Sequence, residues 1–238
     1  MAAAAKPFPR GVADPGAARA FVHDRAGTVL ALDLATGEVL WRAGTALRPL
    51  SVVGAVVVAA RVAGRNAIEL VMLDARDGRE LRASEPLALP DWAQASLDDT
   101  PDYALRAEAE GGAVVLRWTA RARYRGGAPP SAMVQAAAER EARGAARVDV
   151  DSGAVEALPE PAAAPVHADA GAPAAPISDP DVLEQADIGG TRFQLVVRDG
   201  AGERVRTLLR AVDRGTGRTV WETVIEEAPR RRPRPPRP

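Results

Sequence analysis

One five-residue unit, Asp-x-x-[Thr/Ser/Asp]-Gly, returns four times along this chain and restricts its fold more than any other feature. It stands as Asp33 to Gly37 with Thr36, Asp74 to Gly78 with Asp77, Asp149 to Gly153 with Ser152, and Asp213 to Gly217 with Thr216. An apolar run precedes each copy and a second run follows. Recurrence at this scale marks an array of like units that bury their faces on one another. The unit itself reads as a β-hairpin: a strand runs into Asp, Gly takes the φ > 0 position, and a second strand leaves. The Asp carboxylate and the Thr or Ser hydroxyl can cap the free N–H groups of the turn.

Two copies carry a further mark. Trp41 and Trp221 stand four residues after Gly37 and Gly217 and offer a flat surface to the neighbouring unit. Arg82 and Ala157 hold that place in the middle copies, so docking there is weaker or different. Between the turns, Leu50 to Val62 reads as two strands bent at Gly54, and Tyr103 to Tyr124 as a pair bent at Gly111 and Gly112. Phe193 to Arg198 and Val205 to Val212 form another pair. Each repeat thus has about four strands, which is the blade of a propeller, and the expected fold is an all-β propeller of about four blades of four antiparallel strands.

The glycine spacings are 41, 75 and 64 residues, against roughly 40 to 50 for a blade. The surplus is placed in two insertions, 128–144 and 159–180. In the first, Ala-rich Met133 to Arg143 predicts a short helix. The second is an Ala/Pro loop with too little apolar bulk to fold, and reads as disordered. The domain reading is an N-terminal segment over 1–18, partly extended, a propeller over 19–228 and a disordered Arg/Pro tail, extended in solution, over 229–238.

Composition narrows the chemistry. The 31 basic and 32 acidic side chains leave a net charge of −1, so no global field drives binding to nucleic acid or membrane. Without Cys, disulfides, thiolate nucleophiles and Cys-ligated zinc are excluded. The longest apolar run, Val52 to Ala60, is about half of a membrane span. The first residues show no signal peptide, which makes cytoplasm the default compartment, with periplasm or secretion left open.

Ala31-Leu-Asp33-Leu-Ala-Thr36-Gly37-Glu-Val-Leu-Trp41-Arg resembles the tryptophan-docking repeat of the pyrroloquinoline-quinone-like propellers, with the resemblance extending over roughly Arg19 to Glu227. That family holds quinone-dependent dehydrogenases and many non-enzymatic propellers, an outer-membrane assembly lipoprotein among them. The resemblance implies that its enzymes need seven or eight blades, a calcium site and commonly a vicinal disulfide. The matched residues, Asp33, Gly37, Trp41, Asp74, Gly78, Asp149, Gly153, Asp213, Gly217 and Trp221, are structural, so no cofactor ligand carries over and the non-enzymatic branch is expected. Four blades leave three arrangements, a closed ring, an open arc completed by a partner, or two chains sharing one ring; the closed ring is preferred.

Other candidate sites are sparse. His23 and His167 are the only imidazoles, which leaves little material for a histidine metal site or a catalytic triad, and His23 is expected to face solvent. Asp149, Asp151 and Glu160 have the outline of a calcium loop, but Gly153 falls one place early and the blade turn explains them better. Asp98, Asp99 and Asp102 read as a metal-binding cluster or a solvated turn. Gly215 and Gly217 join strand to strand and lack the third glycine of a dinucleotide site. Arg121, Arg123 and Arg125 alternate on one strand face. Arg230, Arg231, Arg232, Arg234 and Arg237 make the tail a possible interaction element for phosphate, an acidic face or an aromatic groove.

The functional expectation is a non-catalytic propeller that serves as a platform for another protein, with no cofactor, no metal and no catalytic residues. Self-association to complete a ring is a further possible contact. A quinone-dependent redox subunit and a nucleic-acid-associated protein acting through the tail are the alternatives.

Overall fold

The computed structural model describes residues 5–122, 139–159, 179–200 and 204–230. They form four antiparallel sheets. The first runs β1 (Lys6–Phe8), β2 (Gly11–Asp14), β3 (Arg19–His23), β4 (Val29–Asp33) and β5 (Val39–Ala43). The second runs β6 (Leu47–Val53), β7 (Val56–Val62) and β8 (Ala67–Asp74), with β9 (Glu80–Ala83) and β10 (Leu87–Ala88) both on the outer edge of β8. The third is β11 (Tyr103–Glu110), β12 (Ala113–Ala122), β13 (Arg140–Asp149) and β14 (Val155–Leu158). The fourth is β15 (Val182–Ile188), β16 (Thr191–Asp199), β17 (Arg204–Asp213) and β18 (Thr219–Pro229). These are four blades of the propeller type.

Three boundaries depart from the sequence reading. The first blade begins at Lys6, well before residue 19, because Val12 and Ala13 are buried on β2, a strand that Pro9 and Pro15 make too short to show a pattern. Residues 140–144, expected within a helical insertion, are strand: Arg140 to Gly144 pair with Trp118 to Ala122, and this ladder outweighs the helical preference of Ala142. Pro229 belongs to β18 opposite Arg204 rather than to a free tail, since an edge strand tolerates the missing donor. The rest of the helical insertion, most of the Ala/Pro loop and tail residues 231–238 lie outside the described residues.

All four Asp-Gly turns close in the same way. The N–H of Gly37, Gly78, Gly153 and Gly217 donates to the carbonyl of its Asp at 2.8 Å in each. Asp33, Asp149 and Asp213 accept from the N–H three residues on at 2.8, 2.7 and 2.7 Å, and from the hydroxyls of Thr36, Ser152 and Thr216. Asp74 instead caps Arg76 N–H at 2.8 Å, and Asp77 caps Arg79 N–H at 2.9 Å. The glycines sit at φ of 69–77°, where an L side chain is strained.

The turns are also the seats on which blades dock. Trp41 of the first blade lies on Gly78 of the second and donates from Nε1 to the Ala75 carbonyl at 3.1 Å. Trp221 of the fourth lies on Gly37 of the first and donates to the Leu34 carbonyl at 3.1 Å, while Thr223 donates to the Gly37 carbonyl at 2.6 Å. On Gly153 of the third blade the Trp is replaced by backbone: Ala83 and Ser84 close over it, and buried Ser84 accepts the Leu70 N–H. The spatial order is therefore fourth, first, second, third. Buried clusters seal the three joints, and among the described residues none spans the third and fourth blades. Gly217 is exposed, with no described residue over it, whereas Gly37, Gly78 and Gly153 are buried.

A matched pair of substitutions separates turn strain from docking. Gly37→Ala and Gly217→Ala share the φ > 0 cost of about 1–2 kcal/mol. Only Gly37→Ala puts a methyl into the Trp221 ring, 2.5 Å away, which adds overpacking of about 1–3 kcal/mol. Urea unfolding of the two variants should rank Gly37→Ala as clearly the less stable.

Candidate interaction face

Four equivalent hydrogen bonds make the two rims of the blades unlike. Leu34, Ala75, Val150 and Arg214, each next to a turn Asp, donate from N–H to the carbonyls of Ala18, Ala55, Gly112 and Gly190 at 2.9, 2.9, 3.1 and 2.9 Å. These bonds tie the turn between a blade's first two main strands to its Asp-Gly turn, so that rim is short and fixed. The long connections leave from the opposite rim: 84–102 between the second and third blades, 123–139 within the third, and 159–181 between the third and fourth.

That opposite rim carries the ion pairs that cross from blade to blade. Arg48 at the start of β6 grips Asp99 through both terminal nitrogens, at 2.8 and 3.2 Å, and also donates to the Leu97 carbonyl at 2.9 Å. Arg106 bonds the other side of the same carboxylate, and Leu105 N–H adds a fourth donor at 3.2 Å. Burial pushes Asp99 up, but the Arg48 and Arg106 guanidiniums outweigh it and hold the carboxyl below its usual range. Beside the first blade, Arg10 pairs with Glu226 at 3.3 Å, and the N–H groups of Arg10 and Arg25 donate to Glu184 and Glu226 at 3.0 and 3.1 Å. These contacts cross blade boundaries, and the rim is held as one surface.

His23 ends β3 at this rim and is buried, 5% exposed, not solvent-facing as its place in the sequence suggested. Alternation misleads there because His23 closes a strand whose preceding three residues are all buried. Its Nδ1 lies 2.9 Å from the Asp24 carbonyl, which can only accept, so Nδ1 carries the proton. Burial, partly offset by that bond, lowers its pKa from the ordinary 6.5.

Other candidates are placed as follows. Asp149 spends its carboxylate on Ser152, so the calcium-loop outline resolves into the blade turn; Glu160 lies outside the described residues. Asp99 is neutralised by two guanidiniums and is no free cation ligand, and among the described residues no cluster of three His, Asp or Glu is set to hold a metal. Arg121 pairs across the strand with Glu141 at 3.1 Å; Arg123 and Arg125 lie outside the described residues. Of the tail, Arg230 pairs with exposed Asp199 at 3.5 Å, and Arg231, Arg232, Arg234 and Arg237 lie outside the described residues. Among the described residues no helix is long and apolar enough to cross a membrane. The Arg48–Asp99–Arg106 cluster escaped the sequence reading: its first two members are 51 residues apart, with nothing local to pair them.

Two measurements probe this rim. The unfolded chain protonates His23 at higher pH than the folded chain does, so stability is complete above about pH 6.5 and is lost as pH falls toward the lowered folded value. Replacing His23 with Gln should flatten the loss seen between about pH 7.5 and about pH 5.5 in urea titrations. Asp99→Asn strips Arg48 and Arg106 of their charge partner and should cost about 1–3 kcal/mol in the same assay.

Residues 10–101 match the model of the PQQ-like repeat family described as outer membrane protein assembly factor BamB. A search of curated proteins finds no match. Among solved structures, the crystal structure of BamB from Moraxella catarrhalis aligns at 15% identity over 87% of this chain and 61% of that chain, with a TM-score of 0.30. The chain thus spans less than two thirds of that protein's length. Over residues 10–101 this chain carries PQQ-like β-propeller repeats, and its third and fourth blades turn on the same Asp-Gly unit.

Proposed function

We propose that this chain is a non-catalytic scaffold that holds another protein on the rim opposite its Asp-Gly turns. The observation that carries the reading is the asymmetry of the rims: one is short and locked by four equivalent hydrogen bonds, the other bears every long connection and the cross-blade ion pairs. A fixed β framework that presents variable connections on one side is built to bind rather than to react. The repeat family matched over residues 10–101 is named for an assembly factor, and assembly by protein contact is the role proposed here. That name also describes an outer-membrane process, which gives the cytoplasmic expectation no support; cell fractionation distinguishes the compartments.

Site-specific photo-crosslinking in the native cell tests the reading. A crosslinking side chain at exposed Asp98, on the variable rim, should capture a protein partner. The same group at exposed Arg76, on the locked rim, should not. Capture at Arg76 alone, or at neither position, overturns the proposal. Titrating the purified chain with pyrroloquinoline quinone and Ca²⁺ should leave its Tm unchanged, whereas a concentration-dependent rise would favour the redox alternative.

A further inference from the structure

A strand at the edge of a sheet has a row of backbone N–H and C=O groups with no partner strand, and such a row invites another chain to add to it. This chain breaks its edges in a consistent way. Of the described edge strands, β5, β6, β9, β15 and β18 carry bulges, and the residues left out of the pairing are Leu40, Leu50, Leu81, Leu183, Val220 and Ile225. Unbulged β1, β10 and β14 are only three, two and four residues long. The exception is β11, which pairs with β12 without interruption from Tyr103 to Glu110 and has no described strand on its other side.

Part of that free edge is closed by other means. Along an antiparallel strand, alternate residues turn both backbone groups to the same side. The Asp102 carbonyl accepts the Arg121 N–H at 2.7 Å, so even-numbered residues here face β12 and odd-numbered ones face the free edge. Tyr103 exchanges both of its backbone bonds with Thr100, at 3.2 and 2.7 Å. Leu105 gives its N–H to Asp99 Oδ1 at 3.2 Å, and its carbonyl accepts from Arg106 Nη1 at 2.9 Å. The Arg48 and Arg106 guanidiniums that grip Asp99 thus also hold it over the edge. Beyond this point the strand emerges: Arg106, Glu108, Ala109 and Glu110 are exposed, and Glu108 stays 67% exposed beside its partner Arg117.

The side chains along β11 show what this closure prevents. If two copies paired antiparallel about Ala107, Arg106 of each would stand opposite Glu108 of the other, and Leu105 opposite Ala109. Opposite charges placed this way attract across strands. That register needs the N–H and C=O of Leu105, the groups already taken by Asp99 and Arg106. Pairing about Glu108 keeps Arg106 opposite Glu110 but sets Glu108 face to face with itself, and pairing about Ala109 sets Glu108 against Glu110.

We infer that Asp99, pinned by Arg48 and Arg106, is a plug on the free edge of β11 that keeps two copies of this chain from joining through their third blades. The cluster then has a second role besides tying the rim together, and it does for β11 what the bulges do for the other long edges.

Two substitutions at one position separate the plug from the ion pairs. Asp99→Ala removes the acceptor for Leu105 N–H, whereas Asp99→Asn keeps an acceptor while losing the same charge. In sedimentation of the full chain, Asp99→Ala should move toward twice the wild-type mass as concentration rises, and Asp99→Asn should match wild type. No other Cys is present, so Ala107→Cys added to Asp99→Ala should give a disulfide-linked dimer on oxidation, and Ala107→Cys alone should not. Glu108→Arg added to Asp99→Ala sets Arg against Arg106 and should restore the wild-type mass. Equal association of Asp99→Asn and Asp99→Ala would trace the effect to lost stability and overturn the inference. Wild-type mass for Asp99→Ala, or no link through position 107 in its background, would overturn it as well.

Discussion

Everything in this molecule depends on the contact between the outer strand of one blade and the turn glycine of the next. A glycine without Cβ at φ near 70° gives a flat backbone seat, and a carbonyl beside it meets an indole N–H. The same seat takes two different visitors. An indole ring fills it at Gly37 and Gly78, while at Gly153 a strand's own backbone does so with Ser84 anchoring it. The joint thus specifies a shape more than a residue, and this explains how a degenerate repeat still stacks in register. Aromatic contact reinforces the joint between fourth and first blades, where Phe193 lies 5.0 Å from Phe8 and 5.8 Å from Trp221, ring centre to ring centre.

The capping carboxylates show how local chemistry supports this geometry. Asp33, Asp149 and Asp213 are held below the usual carboxylate range by hydrogen bonds from Thr36, Ser152 and Thr216, so they stay ionised and keep accepting from the turn. The seat is therefore fixed before any blade arrives on it. Docking then orders little that was not already ordered, which limits its entropic cost.

Blade identity was legible in the sequence because the turn chemistry is contiguous: Asp, hydroxyl and Gly lie within five residues, and the strands around them alternate. Trp41 and Trp221 were legible for the same reason. What could not be read depends on distance or on competition. The Arg48–Asp99 pair joins the second blade to the connection that follows it, β2 is too short for a pattern, and Glu141 to Arg143 follows its β12 partner against its own preference. His23 misled because burial at a strand end follows from the neighbouring blade and not from alternation.

The rim locked by Leu34, Ala75, Val150 and Arg214 bears on how such a chain can change over evolutionary time. Because each of these bonds closes within a single blade, a blade copied whole would carry its lock, its seat and its visitor with it. Lengthening by duplication of such a blade would then need no new chemistry at the joints. The number of blades is thereby left free of the chemistry that fixes each one.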